Sequence, residues 1–271
     1  MITFSDVSKT YQGETVLGPV SGTIAAGGIT SVIGPNGAGK STLLSIMGRL
    51  LEPTTGTVTI GDAVVRDTAT KDLARIVSVL RQDNTLTARV TIRELVSFGR
   101  FPHCGGRLTT RDHAQVDRAL DFLHLDALAG RYLDQVSGGQ RQRAFVAMVL
   151  AQDTPYVLLD EPLNNLDLKH SVAMMGHLRR AADELGRTIV LVVHDINFAA
   201  AWSDDIVAMR DGRIVVGGSA GDIMHEDILS DVFDTRVRVH AIDGTRTAVY
   251  ARPRDEAYAV DSGRPRRVAD M

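Results

Sequence analysis

The chain has 271 residues, 44% of them hydrophobic, which is enough to bury the core of one large domain or two small ones. Its formal net charge of -3 argues against a general nucleic-acid-binding surface. The single cysteine, Cys104, excludes an internal disulfide framework and fits a reducing compartment.

The N-terminal stretch MITFSDVSKTY lacks the charged-then-apolar layout of a signal peptide. The longest apolar runs, such as Ile189 to Val193, fall far short of the roughly 20 residues that span a bilayer. Together these features predict a soluble chain of the cytoplasm. Residues 1 to about 82 read as short strands in ITFSDVS, ITSVIG and TVTIGD. A glycine-rich turn follows ITSVIG and leads into a predicted helix over KSTLLSIMGRLL.

From about 83 to 150 the pattern turns helical. ARVTIRELVSFGR, DHAQVDRALDFLHL and RQRAFVAMVLA repeat apolar residues at three- and four-residue spacing. Strands return in YVLLD and TIVLVVHD, separated by the helical LKHSVAMMGHLRRAADEL. Such strand–helix alternation predicts a buried, mostly parallel sheet. Asp211-Gly212, inside IVAMRDGRIVVGG, is a hairpin signal. Residues 251–271 show neither period and are predicted to be a disordered, solvated tail, its arginines balanced by acids. The domain proper is expected to be 1–250.

GPNGAGKST, from Gly34 and Pro35 through Asn36, Gly37, Ala38 and Gly39 to Lys40, Ser41 and Thr42, fits G-x-x-x-x-G-K-[ST] between a strand and a helix. Small residues let backbone N–H groups close around phosphates at a helix N-terminus, Lys40 neutralises the β- and γ-phosphates, and Ser41 can ligate Mg²⁺. YVLLDEP supplies the complement: an apolar strand ends in Asp160, a metal-holding carboxylate, and Glu161 follows as candidate general base. ATP and Mg²⁺ are the expected cofactors.

VSGGQ, with Ser137, Gly138, Gly139 and Gln140, has no chemistry of its own, and alone it would be a helix N-cap. In the order GPNGAGKST, Gln82, VSGGQ, VLLDEP, NNLD and His194, residues 1 to about 250 resemble the ATP-binding cassette (ABC) ATPases. The resemblance implies an α/β P-loop NTPase with a RecA-like core, an antiparallel β subdomain and a helical signature subdomain. It implies that SGGQ caps the γ-phosphate of ATP held by the phosphate loop of a second copy of the chain. It also implies that Tyr11 stacks on adenine and that Gln82 reaches Mg²⁺ and the attacking water. By the same match Asp167 communicates between two sites and His194 contacts the γ-phosphate. Val136 and Leu163 depart from the family's common leucine and threonine, and neither change removes a polar ligand.

RVTIRELVSFGRFPH, QDTPYVLLDEPLNNLDLKHSV and HDINFAAAWSDDIVA are similar to the ATPases of bacterial ferric-siderophore importers, especially those for catecholate siderophores of the petrobactin type. Haem and vitamin B12 importers share much of this subfamily. The likeness implies a multi-span membrane permease as partner, a substrate-binding lipoprotein acting indirectly, and a peripheral position on the cytoplasmic face of the membrane. Chromosome-maintenance and DNA-repair ATPases place a long coiled coil between phosphate loop and signature, and no sustained heptads lie between Lys40 and Ser137. A binding-only nucleotide sensor would lack Glu161 or His194. His170 and His177, seven apart on a predicted helix without a third ligand, do not make a metal site.

Overall fold

A computed structural model describes residues 1–250 except 83, 85, 87 and 243. The tail expected over 251–271 lies outside the described residues.

The N-terminal part opens with β1 (Ile2–Tyr11), β2 (Glu14–Ile24) and β3 (Ile29–Ile33), followed by α1 (Lys40–Met47). Then come β4 (Thr55–Ile60), β5 (Ala63–Val64), α2 (Thr70–Leu73) and β6 (Val77–Leu80). A helical stretch carries α3 (Ile92–Phe98), α4 (Phe101–Cys104), α5 (Thr110–Phe122) and α6 (Gly138–Ala151). The core resumes with β7 (Tyr156–Asp160), α7 (Leu168–Leu185), β8 (Thr188–Val192), α8 (Ile196–Trp202), β9 (Asp205–Arg210) and β10 (Arg213–Ser219). It closes with α9 (Ala220–Ile223), α10 (Glu226–Phe233), β11 (Arg238–Ile242) and β12 (Thr245–Val249).

The central sheet has the order β10-β9-β3-β8-β7-β6, with every pairing from β9 to β6 parallel. Each residue of β3, β7 and β8 is buried, because a parallel strand covered on both faces needs a continuous apolar run. The alternation read from the sequence is therefore realised as a parallel sheet. Its one antiparallel edge, β9–β10, turns at Asp211-Gly212, where both residues have positive φ (50° and 71°), the backbone of a two-residue primed turn.

A second, antiparallel sheet runs β2-β1-β4-β5. The sequence did not announce β2, because Gly18-Pro19 and Gly22 interrupt its alternation; its pairing with β1 over Ile2↔Ile24 to Tyr11↔Glu14 makes it a strand. β6 is equally short of local signal and is held by β7 beside it. The β11–β12 hairpin also went unforeseen. Asn197 on α8 clamps it, accepting from the Ala248 N–H at 2.8 Å and donating to the Ala248 carbonyl at 3.2 Å.

Three of the four helices in the helical stretch, α3, α5 and α6, start with one device. Thr91 with Glu94, Thr109 with Asp112, and Ser137 with Gln140 each form a reciprocal capping box that satisfies backbone donors of a first turn. Helix α1 stops at Met47, with Gly48 as its cap, rather than running on to Leu51 as its apolar pattern suggests. No helix among the described residues is long and apolar enough to cross a membrane.

Candidate functional site

The phosphate loop hangs between β3, the centre of the sheet, and α1. Its first glycine is obligatory: a Cβ on Gly34 (φ 142°) would sit 2.0 Å from the Met209 carbonyl oxygen on β9. The loop therefore lies flush against the neighbouring strand and leads directly to Lys40, the first residue of α1. The Lys40 ammonium is almost fully buried and donates to the carbonyls of Gly34 and Pro35, each at 2.8 Å. Burial lowers its pKa from the ordinary lysine value, and the nearby carboxylates Glu161 and Asp160 oppose that shift.

The parallel sheet brings the acids to this loop, with β8 lying between β3 and β7. Asp160, the last residue of β7, accepts a 2.8 Å hydrogen bond from the Ser41 hydroxyl. Burial raises the Asp160 pKa; the Ser41 bond and the Lys40 and His194 charges oppose this, while Glu161 adds to it. Glu161 follows in the left-handed region (φ 51°), a conformation that costs a non-glycine residue on the order of 1–3 kcal/mol and clusters at functional sites. Its two carboxylate oxygens have separate partners: Oε2 accepts from Gln82 Nε2 at 2.7 Å, and Oε1 lies 2.7 Å from His194 Nε2. Glu161 is 10% exposed and His194 48%, so the acid sits at the floor and the imidazole at the mouth.

These groups line a cleft of about 530 Å³ with Asn36 to Thr42, Gln82, Glu161 and His194 in its walls. Val16 of β2 also lines it, a residue that sequence reasoning passed over because its strand was not foreseen. Backbone N–H groups at a helix start, a buried ammonium and a carboxylate paired with an imidazole suit a polyphosphate and its hydrolysis.

Other candidate residues lie outside these walls. Tyr11 is exposed at the end of β1, with the Lys9 ammonium 5.1 Å above its ring. Ser137 caps α6, accepting from the Gln140 N–H at 3.3 Å while its own N–H donates to Gln140 Oε1 at 3.0 Å. Asp167 caps α7 by accepting from the His170 N–H at 2.8 Å. Ser137 and Asp167 are both exposed.

The sequence profile of the ABC transporter family matches residues 17–164, more than half of the chain. The petrobactin import ATP-binding protein FatE of Bacillus anthracis is 52% identical over 239 residues, covering 88% of this chain and 96% of that protein. The petrobactin import ATP-binding protein YclP of Bacillus subtilis is 50% identical over 250 residues, covering 92% and 99%. A solved dimeric ATP-binding cassette in a post-hydrolysis state, bound to ADP and Pi, superposes with a TM-score of 0.73 at 31% identity, covering 81% of this chain and 99% of that one. With its phosphate loop, paired acids and signature helix in this arrangement, the chain belongs to the ABC transporter family as an ATP-binding ATPase subunit.

Proposed function

We propose that the chain is the ATP-hydrolysing subunit of a bacterial importer that takes up ferric siderophore through a separate membrane permease. The single observation that carries the cargo is the 52% identity, over nearly the full length of both proteins, to a petrobactin import ATPase. Haem and cobalamin are the competing cargoes. The chain acts as a peripheral protein on the cytoplasmic face of the membrane, and a substrate-binding lipoprotein delivers cargo from outside.

In the reaction, loop N–H groups from Gly37 to Thr42 and the Lys40 ammonium hold the β- and γ-phosphates. Glu161 takes a proton from the attacking water, and Gln82 and His194, both on its carboxylate, orient water and γ-phosphate. Tyr11 stacks on adenine. Ser41, Gln82 and Asp160 provide hard oxygen donors in one place, the donor set Mg²⁺ requires. Mg²⁺ bound there would neutralise charge between the β- and γ-phosphates. The solved cassette dimer supports a homodimer; in it, on this reading, Ser137, Gly138, Gly139 and Gln140 of one protomer cap the nucleotide of the other, with Asp167 linking the sites.

The test is growth. A strain lacking this chain grows poorly when iron is scarce and recovers with excess iron or with the gene restored. Normal ferric-siderophore uptake alongside deficient haem or cobalamin uptake would reassign the cargo.

A further inference from the structure

His170 joins two elements that the sequence keeps 28 or more residues apart. On one edge of its ring, Nδ1 lies 2.7 Å from Asp167 Oδ1. The face of the ring, over Cδ2, lies against the signature: a Cβ on Gly139 would sit 2.6 Å from His170 Cδ2, 2.9 Å from its Cγ and 3.2 Å from its Nε2. Glycine at 139 is therefore what lets the ring lie against the signature turn. One helical turn on, Gln142 Nε2 donates to the Pro162 carbonyl at 3.0 Å, a second tie between α6 and the segment that precedes Asp167.

The backbone half of this arrangement is generic, since any residue at position 170 offers its N–H to a capping Asp167. The side chain is not generic. Hydrogen bonds from the His170 backbone and ring hold the Asp167 carboxyl below the usual carboxylate range. Turning the ring away from Asp167 would lose the ring's bond.

We propose that His170 is a positioning residue that fixes Asp167 and the Ser137–Gly139 turn of one protomer as a single unit, presented to the nucleotide held by the other. This rests on the shared-site reading above. A residue that only stabilised its own subunit would act on either site alike; a positioning residue acts on the opposite one.

Mixed dimers separate these cases. In a dimer of Lys40→Ala and wild type, the one competent site pairs the wild-type Lys40 with the variant's signature turn. Adding His170→Ala to the Lys40→Ala protomer places the lesion at that competent site, and half-maximal capture of ATP should then need about two- to fivefold more nucleotide, the scale of one exposed ion pair. Placing His170→Ala on the other protomer instead leaves the competent site facing an intact His170, and capture should match that of the Lys40→Ala and wild-type dimer. Equal capture in the two arrangements, or the reverse order, would overturn the proposal. Should His170→Ala melt well below wild type, His170→Gln, which keeps a donor but lacks the ring, carries the same comparison. A dimer of Lys40→Ala with Ser137→Arg is the control: capture at one site upholds the shared-site reading, whereas no capture removes that reading and this inference with it.

Discussion

Glu161 Oε1 lies 2.7 Å from His194 Nε2, and the same carboxylate's Oε2 accepts from Gln82 at 2.7 Å. One acid thus organises both flanking polar groups, and neither of its oxygens is idle. Glu161→Gln keeps the shape and loses the base. ATP binding should persist while turnover falls roughly 10²–10⁴-fold, the usual contribution of a general base. Steady-state phosphate release alongside nucleotide binding checks this, and near-normal turnover would remove Glu161 from that role.

The Gly34→Ala substitution tests the loop's seat on the sheet. Its methyl group would meet the Met209 carbonyl at 2.0 Å, and the partner is backbone that cannot rotate aside. The combined clash and left-handed strain should cost about 2–4 kcal/mol and weaken nucleotide binding. A thermal melt with and without ATP measures both. Unchanged stability would show that the loop has room to move.

His177 gives a pH dependence. It is buried on α7, its Nδ1 has no hydrogen-bond partner among the described residues, and the His124 ring sits 5.2 Å away edge-on. Burial, followed by the charges of His124, Arg143 and Arg180, lowers its pKa to about 4. The fold therefore favours the neutral ring. Its contribution is fully present above the unfolded-state value near 6.5 and is lost as pH falls from there toward about 4, because the unfolded chain takes up the proton first. The loss should be on the order of 1–3 kcal/mol. Urea titrations at pH 7 and pH 5 should show a steeper fall for wild type than for His177→Leu. Parallel slopes would refute the assignment.

Asp112 and Arg100 form a buried ion pair at 3.0 Å between α5 and the segment joining α3 to α4, and Arg100 also donates to the Ala151 carbonyl at 2.7 Å. Asp112→Ala strands the guanidinium, so a loss of about 3–5 kcal/mol is expected. Hydrogen bonds from Thr109, aided by Arg100, hold the Asp112 carboxyl down at about 2. The stabilisation is thus complete above the ordinary value of 3.8 and disappears only as pH falls toward about 2. Acid unfolding of wild type and variant should therefore converge below that range. A constant gap down to the lowest pH would sink the argument.

What could be read from the sequence was what neighbours in the chain decide. The phosphate loop, the Ser137 cap, the Asp211-Gly212 turn and the bounds of α7 each depend on a few contiguous residues, whose conformational preferences act locally. The family order of motifs then added roles that no single segment carries. Ser41 and Asp160 are 119 positions apart, and Gln82 and Glu161 are 79 apart. Their meeting depends on β3, β8, β7 and β6 lying side by side, an order set by burying four apolar strands under helices rather than by any local signal. The strand β2, with its cleft residue Val16, exists because β1 offers it backbone partners, and its own alternation is broken. Likewise the contact of His170 with Gly139 could not be read along the chain: it is made only when two helix starts pack together, and packing is a property of the closed core.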